Sequence, residues 1–247
     1  MKTLGKLAVF GAALAVSASI ASATPITLGS YSSTGTAIVG DANSALRLTG
    51  VDLTGTIPTG LGTLTAPGSS ATYTLSPGTV WSGPLTNSTW VGESATAGPG
   101  GTNPPYGYYE FTTTFSATAG NYYGSLNVLA DDTTEVYLNY GTAEQTLLVP
   151  FGALGGDNHC ADHAPTCSVE DSLSLSGLSL LASNNLTFIV EQAGTESPGT
   201  DPSGIDFDAC LTQTPEPSSL ILLGTGLVGA AGAFFRRRQS KQSQMAV

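Results

Sequence analysis

The sequence has 247 residues, only 10% of them charged, and its 18 acidic residues outnumber 7 basic ones. Between residues 24 and 214 one base, Arg47, stands against seventeen acids, a net charge of 1 − 17 = −16. One cation can neither neutralise a nucleic-acid backbone nor dock a domain on anionic lipid, which excludes both functions for this region. The same region contains no lysine, which excludes Schiff-base chemistry there.

The first 23 residues have the pattern of a secretory signal peptide. A basic segment, Met1–Lys6, precedes a short apolar run, Leu7–Ile20, and the small residues Ala21 and Ala23 form an A-x-A cleavage site. We expect export through the Sec translocon, cleavage by signal peptidase and a mature chain that begins at Thr24. An uncleaved anchor and a buried helix are the alternatives.

Residues 24–214 show the period-two alternation of short strands and no helical periodicity. In the better defined part, 106–211, strands are predicted over Tyr106–Ala117, Tyr122–Ala130, Thr134–Tyr140, Thr146–Phe151, Leu173–Ser176, Leu186–Gln192 and Gly204–Leu211. In the looser part, 24–105, they are predicted over Ile26–Tyr31, Ala45–Thr49, Ala71–Leu75 and Val80–Trp81. We therefore expect an all-β ectodomain, an antiparallel two-sheet sandwich, between an N-terminal signal helix and a C-terminal transmembrane helix.

Two adjacent strands around an Asp-rich turn carry a resemblance to known modules. Leu126–Tyr140, with Asp131-Asp132 at the turn and Val-Tyr-Leu-Asn after it, resembles the hairpin of galactose-binding-like and PA14-like jelly rolls. Asn184–Gln192 and Pro202–Phe207 look like the closing strands of such a module. The resemblance implies a jelly-roll ectodomain. Modules of this kind bind sugars, bind calcium or space other domains, so the ligand stays open.

Aromatic and acidic residues near these strands form a candidate glycan-binding or calcium-binding site. Its members are Trp81, Trp90, Tyr106, Asp131, Asp132 and Asn139. Sugars stack on exposed aromatic rings. Calcium prefers the oxygen ligands that the Asp pair offers, so the sequence is compatible with calcium and predicts no other cofactor. The alternative is that both tryptophans belong to the core and the Asp pair closes a turn.

Three cysteines raise a choice between a disulfide and a metal site. Cys160 and Cys167 bracket a short Pro-containing loop, which in an exported protein favours a disulfide between them. The rival is a metal site drawn from Asp157, His159, Cys160, Asp162, His163 and Cys167, whose spacing does not match known zinc motifs. Cys210 is left as a lone thiol, or as a partner of one of the others.

Catalytic motifs are absent from the sequence, including G-x-S-x-G, H-E-x-x-H and the P-loop. A glycosidase pair of Glu110 with Glu135 or Asp131 is conceivable, but solvated acids on strand faces are far commoner. We expect no enzymatic activity and no metal at a catalytic centre.

The C-terminus combines three features in order. Pro215-Glu216-Pro217 is followed by an apolar, Gly-interrupted segment, 218–235, then by Arg236-Arg237-Arg238 and a polar tail, 239–247. The apolar segment predicts a transmembrane helix, and the arginines predict a cytoplasmic tail. This arrangement resembles the PEP-CTERM sorting signal. A plain single-pass anchor with a Pro-containing linker is the alternative.

The PEP-CTERM resemblance implies a Gram-negative envelope protein, held in the inner membrane with a periplasmic ectodomain. A membrane-embedded exosortase would cut near Pro215–Pro217 and deliver the ectodomain to the cell surface or the medium. The expected function is that of a non-enzymatic envelope or extracellular-matrix protein associated with exopolysaccharide or biofilm. A carbohydrate-binding or adhesion module, with or without calcium, is the alternative, and a hydrolase is the third.

Overall fold

The computed structural model of the protein describes residues 24–31, 37–53, 64–154, 160–193, 201–215 and 224–233. The predicted signal peptide, 1–23, lies outside the described residues. Thr24–Thr214 form one compact unit, and the two terminal segments form another. Each unit is therefore described separately.

Twelve strands are described between residues 24 and 214. They are β1 Ile26–Gly29, β2 Ala42–Asn43, β3 Arg47–Asp52, β4 Thr72–Thr74, β5 Val91–Gly92, β6 Gly107–Ser116, β7 Gly120–Asp131, β8 Thr133–Leu138, β9 Thr146–Val149, β10 Asp171–Leu180, β11 Ser183–Gln192 and β12 Gly204–Gln213. The long strands, β6, β7, β10, β11 and β12, all lie in the part with the clearest alternation. Turn residues punctuate the earlier part and leave only short strands there.

The strands form two antiparallel sheets. The seven-stranded sheet has the order β10-β7-β12-β5-β4-β2, with β1 also paired to β12, and the five-stranded sheet has the order β3-β6-β11-β8-β9. Every pairing between these strands is antiparallel. The expected all-β, two-sheet antiparallel fold is confirmed.

The main core lies between the two sheets. On β6, Tyr109 and Phe111 are buried in it, as the predicted alternation requires. Across the gap, Phe188 of β11 lies 4.4 Å from Phe207 of β12, measured between ring centroids. The apolar rows of both sheets therefore interdigitate, and the area they remove from water holds the sandwich together.

A second, smaller core covers the outer face of the seven-stranded sheet. Leu129 faces it, whereas its neighbours on β7, Val128 and Ala130, face the main core. Trp81 and Trp90 stack in this cluster with ring centroids 4.2 Å apart. Loop residues before β6 thus supply a lid of aromatic side chains over one sheet.

The structure corrects two parts of the predicted strand map. Val80–Trp81 lie in a turn, and the strand of this region is instead β5, Val91–Gly92, which was not predicted. The segment Leu126–Tyr140 is not a hairpin, because β7 belongs to the seven-stranded sheet and β8 to the five-stranded one. The chain crosses between sheets at Asp132, so local turn chemistry alone does not define this connection.

The C-terminal unit contributes one described helix, residues 224–233, with all its residues exposed. No helix within the described residues is long and apolar enough to span a membrane. Residues 218–223 and 234–235 of the predicted transmembrane segment lie outside the described residues, as does the tail, 239–247. The transmembrane span therefore remains a prediction.

Candidate functional site

Asp131 and Asp132 lie where the chain leaves β7 and enters β8, and the peptide bond between them is cis. Only 2% of Asp131 and none of Asp132 is exposed to solvent. Of the two interpretations of these residues, the structure agrees with the one in which both tryptophans belong to the core and the Asp pair lies at a connection between strands. The carboxylates of the pair occupy the interior at one end of the sandwich.

Asp131 is held from two sides. Its Oδ2 accepts a hydrogen bond of 2.5 Å from the Nε1 of Trp81, and its backbone oxygen accepts one of 3.3 Å from the hydroxyl of Ser203. The Sγ of Cys160 lies 3.7 Å from its Oδ1. Trp81 therefore orients this carboxylate, which ties the second core to the Asp pair.

Asp132 is fixed by β11 and keeps one oxygen unused. Its Oδ2 accepts a 2.6 Å hydrogen bond from the amide of Ala193, and its own amide donates to the carbonyl of Glu191 at 3.0 Å. Its Oδ1 is buried and has no hydrogen-bond partner among the described residues. A buried oxygen left in this state costs free energy unless something else satisfies it.

Two further residues, not predicted from the sequence, complete this cluster. Gln192, at the end of β11, is fully buried and donates through Nε2 to the carbonyl of Asp201 at 3.3 Å. The Oε1 of Gln192 has no hydrogen-bond partner in the part of the chain that the structure describes. Asp201 is 1% exposed. We call Asp131, Asp132, Gln192 and Asp201 the buried oxygen cluster.

The electrostatics of the cluster are unfavourable for the protein alone. Burial raises the pKa of both Asp131 and Asp132, and the negative charge of Asp201 raises them further. Arg47, the only base between residues 24 and 214, lies opposite Thr112 of β6 in the sheet. Gln192 of the cluster lies opposite Gly107, at the other end of the same strand. Five residues along β6 correspond to about 17 Å, so Arg47 cannot neutralise the cluster.

The donor chemistry suits a hard cation, because carboxylate and amide oxygens are the ligands that Ca²⁺ takes. Two of the seven side-chain oxygens already accept hydrogen bonds from Trp81 and Ala193, and the three carboxylates do not all lie within 4.8 Å of one another. The oxygens of Asp132 and Gln192 left without partners would be satisfied by such an ion. A cation would also remove the repulsion among three buried acids.

The cysteines form the predicted disulfide. Cys160 and Cys167 are bonded, seven residues apart in sequence, and Cys210 is a free thiol. Their sulfurs lie within 4.8 Å of an Asp131 oxygen, but a disulfide is not the thiolate that binds a metal. Asp162 and His163 are exposed beside this loop, while Asp157 and His159 lie outside the described residues. The cysteine-liganded metal site is therefore wrong.

The predicted aromatic binding residues lie elsewhere than expected. Trp81 is 5% exposed and Trp90 is fully buried, so neither ring is available to stack on a sugar. Asn139 donates to Asn184 Oδ1 at 3.2 Å and accepts from the amide of Asn185 at 3.1 Å, which makes it part of the turn after β8. Tyr106 is half-buried directly before β6.

Half-exposed tyrosines occur instead on the outer face of the five-stranded sheet. The rings of Tyr137 and Tyr140 lie 5.0 Å apart. Glu110 and Glu135 flank Ile189 from its two neighbouring strands, so both acids lie on the same face. The pKa of Tyr140 is raised by burial first and then by the negative charges of both of these glutamates. We call Glu110, Glu135, Tyr137 and Tyr140 the tyrosine face.

The two candidate glycosidase pairs, Glu110 with Glu135 and Glu110 with Asp131, differ in where the structure places their carboxylates. Glu110 and Glu135 lie two strands apart, about 10 Å between backbones, whereas Asp131 is buried at the end of the sandwich. Glu110 accepts a 2.6 Å hydrogen bond from Thr49, and Glu135 accepts one of 2.7 Å from Tyr137. Glu191 lies on the same face, and burial raises its pKa to about 7.

A comparison with known families identifies the C-terminal segment. Residues 213–238 match the family described as the PEP-CTERM protein-sorting motif. The chain carries a PEP-CTERM signal. The protein is thus exported and sorted by an exosortase, as the three C-terminal features predicted. No curated protein matches this chain significantly.

Three solved structures show low similarity to this chain. TmCBM61 in complex with β-1,4-galactotriose has a TM-score of 0.24 and 10% sequence identity. The match covers 44% of this chain and 64% of the TmCBM61 chain. The Podospora anserina GH26-CBM35 β-(1,4)-mannanase has a TM-score of 0.30 and 16% identity, covering 78% of this chain and 28% of its own.

The enzymatically active domain of Bacteriophage CBA120 tailspike protein 4 has a TM-score of 0.26 and 9% identity, covering 76% of this chain and 19% of its own. This chain thus spans less than two thirds of the length of each of these structures. All three TM-scores are low, so none of the likenesses supports a conclusion about what this ectodomain does.

Proposed function

We propose that the protein is a non-enzymatic envelope or extracellular-matrix protein whose ectodomain is a calcium-stabilised binding module. Export and exosortase sorting follow from the PEP-CTERM motif at 213–238. Inner-membrane anchoring through 218–235, release to the cell surface or the medium, and association with exopolysaccharide belong to the proposal.

The buried oxygen cluster is the observation that carries the calcium part. Three carboxylates and an amide oxygen are buried at this end of the sandwich, and the one base of the ectodomain, Arg47, is about 17 Å away along the sheet. Asp132 Oδ1 and Gln192 Oε1 supply two oxygens without other partners, and Asp131 and Asp201 supply the remaining carboxylates. When bound, the ion would neutralise these acids and join the end of β7 to the ends of β11 and the loop before β12.

Calcium binding can be measured with terbium, which replaces Ca²⁺ and is excited through nearby tryptophan. Trp81 contacts Asp131, so terbium luminescence should rise on binding to residues 24–214 and fall when Ca²⁺ is added. Saturating Ca²⁺, at about 100 times its Kd, should stabilise the fold by about 2.7 kcal/mol. Neither measurement requires a glycan ligand.

Asp132→Asn should abolish both the luminescence and the calcium-dependent stabilisation. Without calcium this variant should be more stable than the natural protein at neutral pH, because it removes a buried acid whose pKa is raised on folding and which therefore destabilises the folded state above its unfolded pKa. Asp171→Asn, an equivalent change on the half-exposed start of β10, should behave like the natural protein. Equal terbium signals from both variants would contradict the cation site.

The tyrosine face favours a second candidate function, the binding of a neutral glycan. Tyr137 and Tyr140 offer half-exposed rings, and Glu110 and Glu135 offer acceptors for sugar hydroxyls. The acids disfavour a polyanionic chain on this face, since the ectodomain already carries a charge of 1 − 17 = −16. Neutral exopolysaccharide is therefore the proposed ligand class.

A glycan array with the released ectodomain tests this candidate. We expect neutral oligosaccharides to bind and Tyr140→Ala to weaken them at least ten-fold, which corresponds to about 1.4 kcal/mol. Tyr123→Ala is the matched control, since that ring is 49% exposed on the other sheet. Equal losses from both variants, or no binding by the natural protein, would exclude the tyrosine face.

The absence of catalysis is also part of the proposal. Glu110 and Glu135 each accept a hydrogen bond from a neighbouring hydroxyl, an arrangement that suits a positioned acceptor for sugar hydroxyls. We expect no turnover of generic glycoside or ester substrates. Hydrolysis by the natural protein that is lost in Glu135→Gln would contradict this proposal and support the alternative function, a hydrolase.

A further inference from the structure

The C-terminal segment leaves the sandwich without a spacer. β12 ends at Gln213, and the amide of Thr214 still donates a hydrogen bond of 2.8 Å to the carbonyl of Asn121 in β7. Pro215–Pro217, the segment proposed to be cut, follows directly and begins with an exposed proline. Three extended residues span at most about 11 Å. An enzyme that holds this segment must therefore come close to the end of the sheet from which the chain leaves.

Two turns flank this exit point. One, 117–119, joins β6 to β7, and the other, 181–182, joins β10 to β11. The amide of Ala117 donates to the carbonyl of Ala182 at 3.2 Å, which links the two turns. The start of β7 is paired with the end of β10 on one side and with the end of β12 on the other. Both turns therefore lie at the end where the chain leaves the sandwich.

The strands that meet at this end carry no charged side chain over most of their length. Residues 111–130, 172–190 and 209–215 contain neither an acid nor a base. The acids of these strands lie toward the opposite end, where Asp131 ends β7 and Asp171 begins β10. Charge is thus distributed unevenly along the strands, with the exit point at the end that has almost none.

Two charged side chains lie nearer to this end than the other acids of the paired strands. Glu144 is exposed in the loop after β8, and Asn139 of that loop donates to Asn184 near the start of β11. Arg47 lies opposite Thr112, four residues before the end of β6. Their signs are opposite, so they add no net charge. The exit point therefore stays neutral in an ectodomain whose net charge is 1 − 17 = −16.

We infer that exosortase contacts the ectodomain at this neutral end, which comprises the turns 117–119 and 181–182 and residues 213–214. The inference rests on the proposed cleavage near Pro215–Pro217, because the short connection brings the enzyme to this end. Leu181 is 40% exposed there, and its neighbours in the two turns are small. A surface without charged side chains can be covered by a protein without leaving a buried charge unpaired, which would be costly.

Release of the ectodomain from the full chain, in cells that contain exosortase, tests this contact. Ala182→Glu places a charge on the neutral end, where the enzyme would bury it. We expect release, measured by pulse-chase labelling, to be at least five-fold slower. Ala95→Glu is the matched control, since Ala95 is exposed and follows β5, which pairs with the opposite end of β12. This control should be released at the natural rate.

A longer connection separates this contact from other causes of slow release. Ten glycine and serine residues inserted between Thr214 and Pro215 span about 17 Å on average. With this insertion, Ala182→Glu should be released as fast as the natural chain, because the enzyme no longer has to touch the sandwich. Restored release would also show that the variant folds and is exported. Slow release despite the insertion would overturn the inference.

Photo-crosslinking identifies what covers the neutral end. Benzoylphenylalanine in place of Ala182 should cross-link the full chain to affinity-tagged exosortase, and in place of Ala95 it should not. Cross-links from position 182 to phospholipid alone would assign this end to the membrane surface and overturn the enzyme contact. A natural chain that is never cut would refute the proposed cleavage and the inference with it. Normal cutting with unchanged release of Ala182→Glu would refute the contact surface alone.

Discussion

Glu93 follows directly on β5, and its Oε2 is buried without a hydrogen-bond partner among the described residues. Burial is the main cause that raises its pKa from 4.5 to about 8. The folded protein therefore keeps a proton that the unfolded chain releases between these two pH values. Stability must fall as the pH rises through this window, since the unfolded state binds fewer protons.

Glu93→Gln should remove the part of this pH dependence that comes from Glu93 and leave the part that comes from Asp131, Asp132 and Glu191, whose pKa values burial also raises. At pH 8.5 the variant should be more stable by about 2–4 kcal/mol, because each pKa unit between the folded and unfolded states corresponds to ~1.4 kcal/mol. Below pH 4.5 the two proteins should be nearly equal. Urea unfolding from pH 4 to 9 measures the difference, with exposed Glu144→Gln as the control. Parallel stability curves for the natural protein and Glu93→Gln would contradict the assignment.

At the scale of elements, the disulfide between Cys160 and Cys167 closes a loop within the connection from β9 to β10. The sequence predicted this bridge correctly. Cys167 is 3% exposed in the second core, and the carbonyl of this residue accepts a hydrogen bond from the amide of Ser82 at 2.9 Å. The loop thus packs in the same cluster as Trp81, which orients Asp131. Its order and that of the buried oxygen cluster are therefore linked.

Opening the disulfide should destabilise the ectodomain by about 2 kcal/mol, the modest value that a short closed loop predicts. The paired variant Cys160→Ser with Cys167→Ser should show this loss in urea unfolding, whereas Cys210→Ser should not. Peptide mass spectrometry of unreduced protein should find Cys160 joined to Cys167 and alkylation at Cys210 alone. Alkylation of all three thiols in exported protein would disprove the bridge.

At the scale of the whole molecule, the C-terminal signal and the sandwich have separate roles. Thr24–Thr214 form a compact unit, and the PEP-CTERM motif begins at its end, at residue 213. Cleavage near Pro215–Pro217 would therefore release the entire sandwich. The last strand, β12, ends at Gln213 and would lose no paired residue.

Replacing Arg236, Arg237 and Arg238 with glutamine should impair sorting, since it removes the charges that are predicted to hold the tail on the cytoplasmic side. We expect the unprocessed chain to accumulate and the released ectodomain to decrease several-fold. Cell fractionation with mass determination of both termini measures this change. Arg47→Gln, which alters the one base of the ectodomain, should leave processing intact. Unchanged release from the triple variant would show that the arginines are dispensable.

Local pattern was sufficient for much of this protein. Period-two alternation placed the long strands β6, β7, β11 and β12 to within two or three residues, because alternate side chains must face the core. The spacing of Cys160 and Cys167 together with an oxidising compartment predicted their bridge. The C-terminal signal was recognisable because each of its three parts consists of consecutive residues. These parts are the Pro-Glu-Pro segment, the apolar segment and the arginine cluster.

Tertiary structure alone decided which residues meet. Gln192 and Asp201 lie about 60 and 70 residues from Asp132, and no local signal marks either one as part of the buried oxygen cluster. Whether Trp81 and Trp90 would be exposed was equally undetermined, because the second core exists only where loop and sheet pack together. The assignment of β7 and β8 to different sheets also depends on long-range pairing, with β12 and β11 respectively, rather than on the Asp-Asp turn between them.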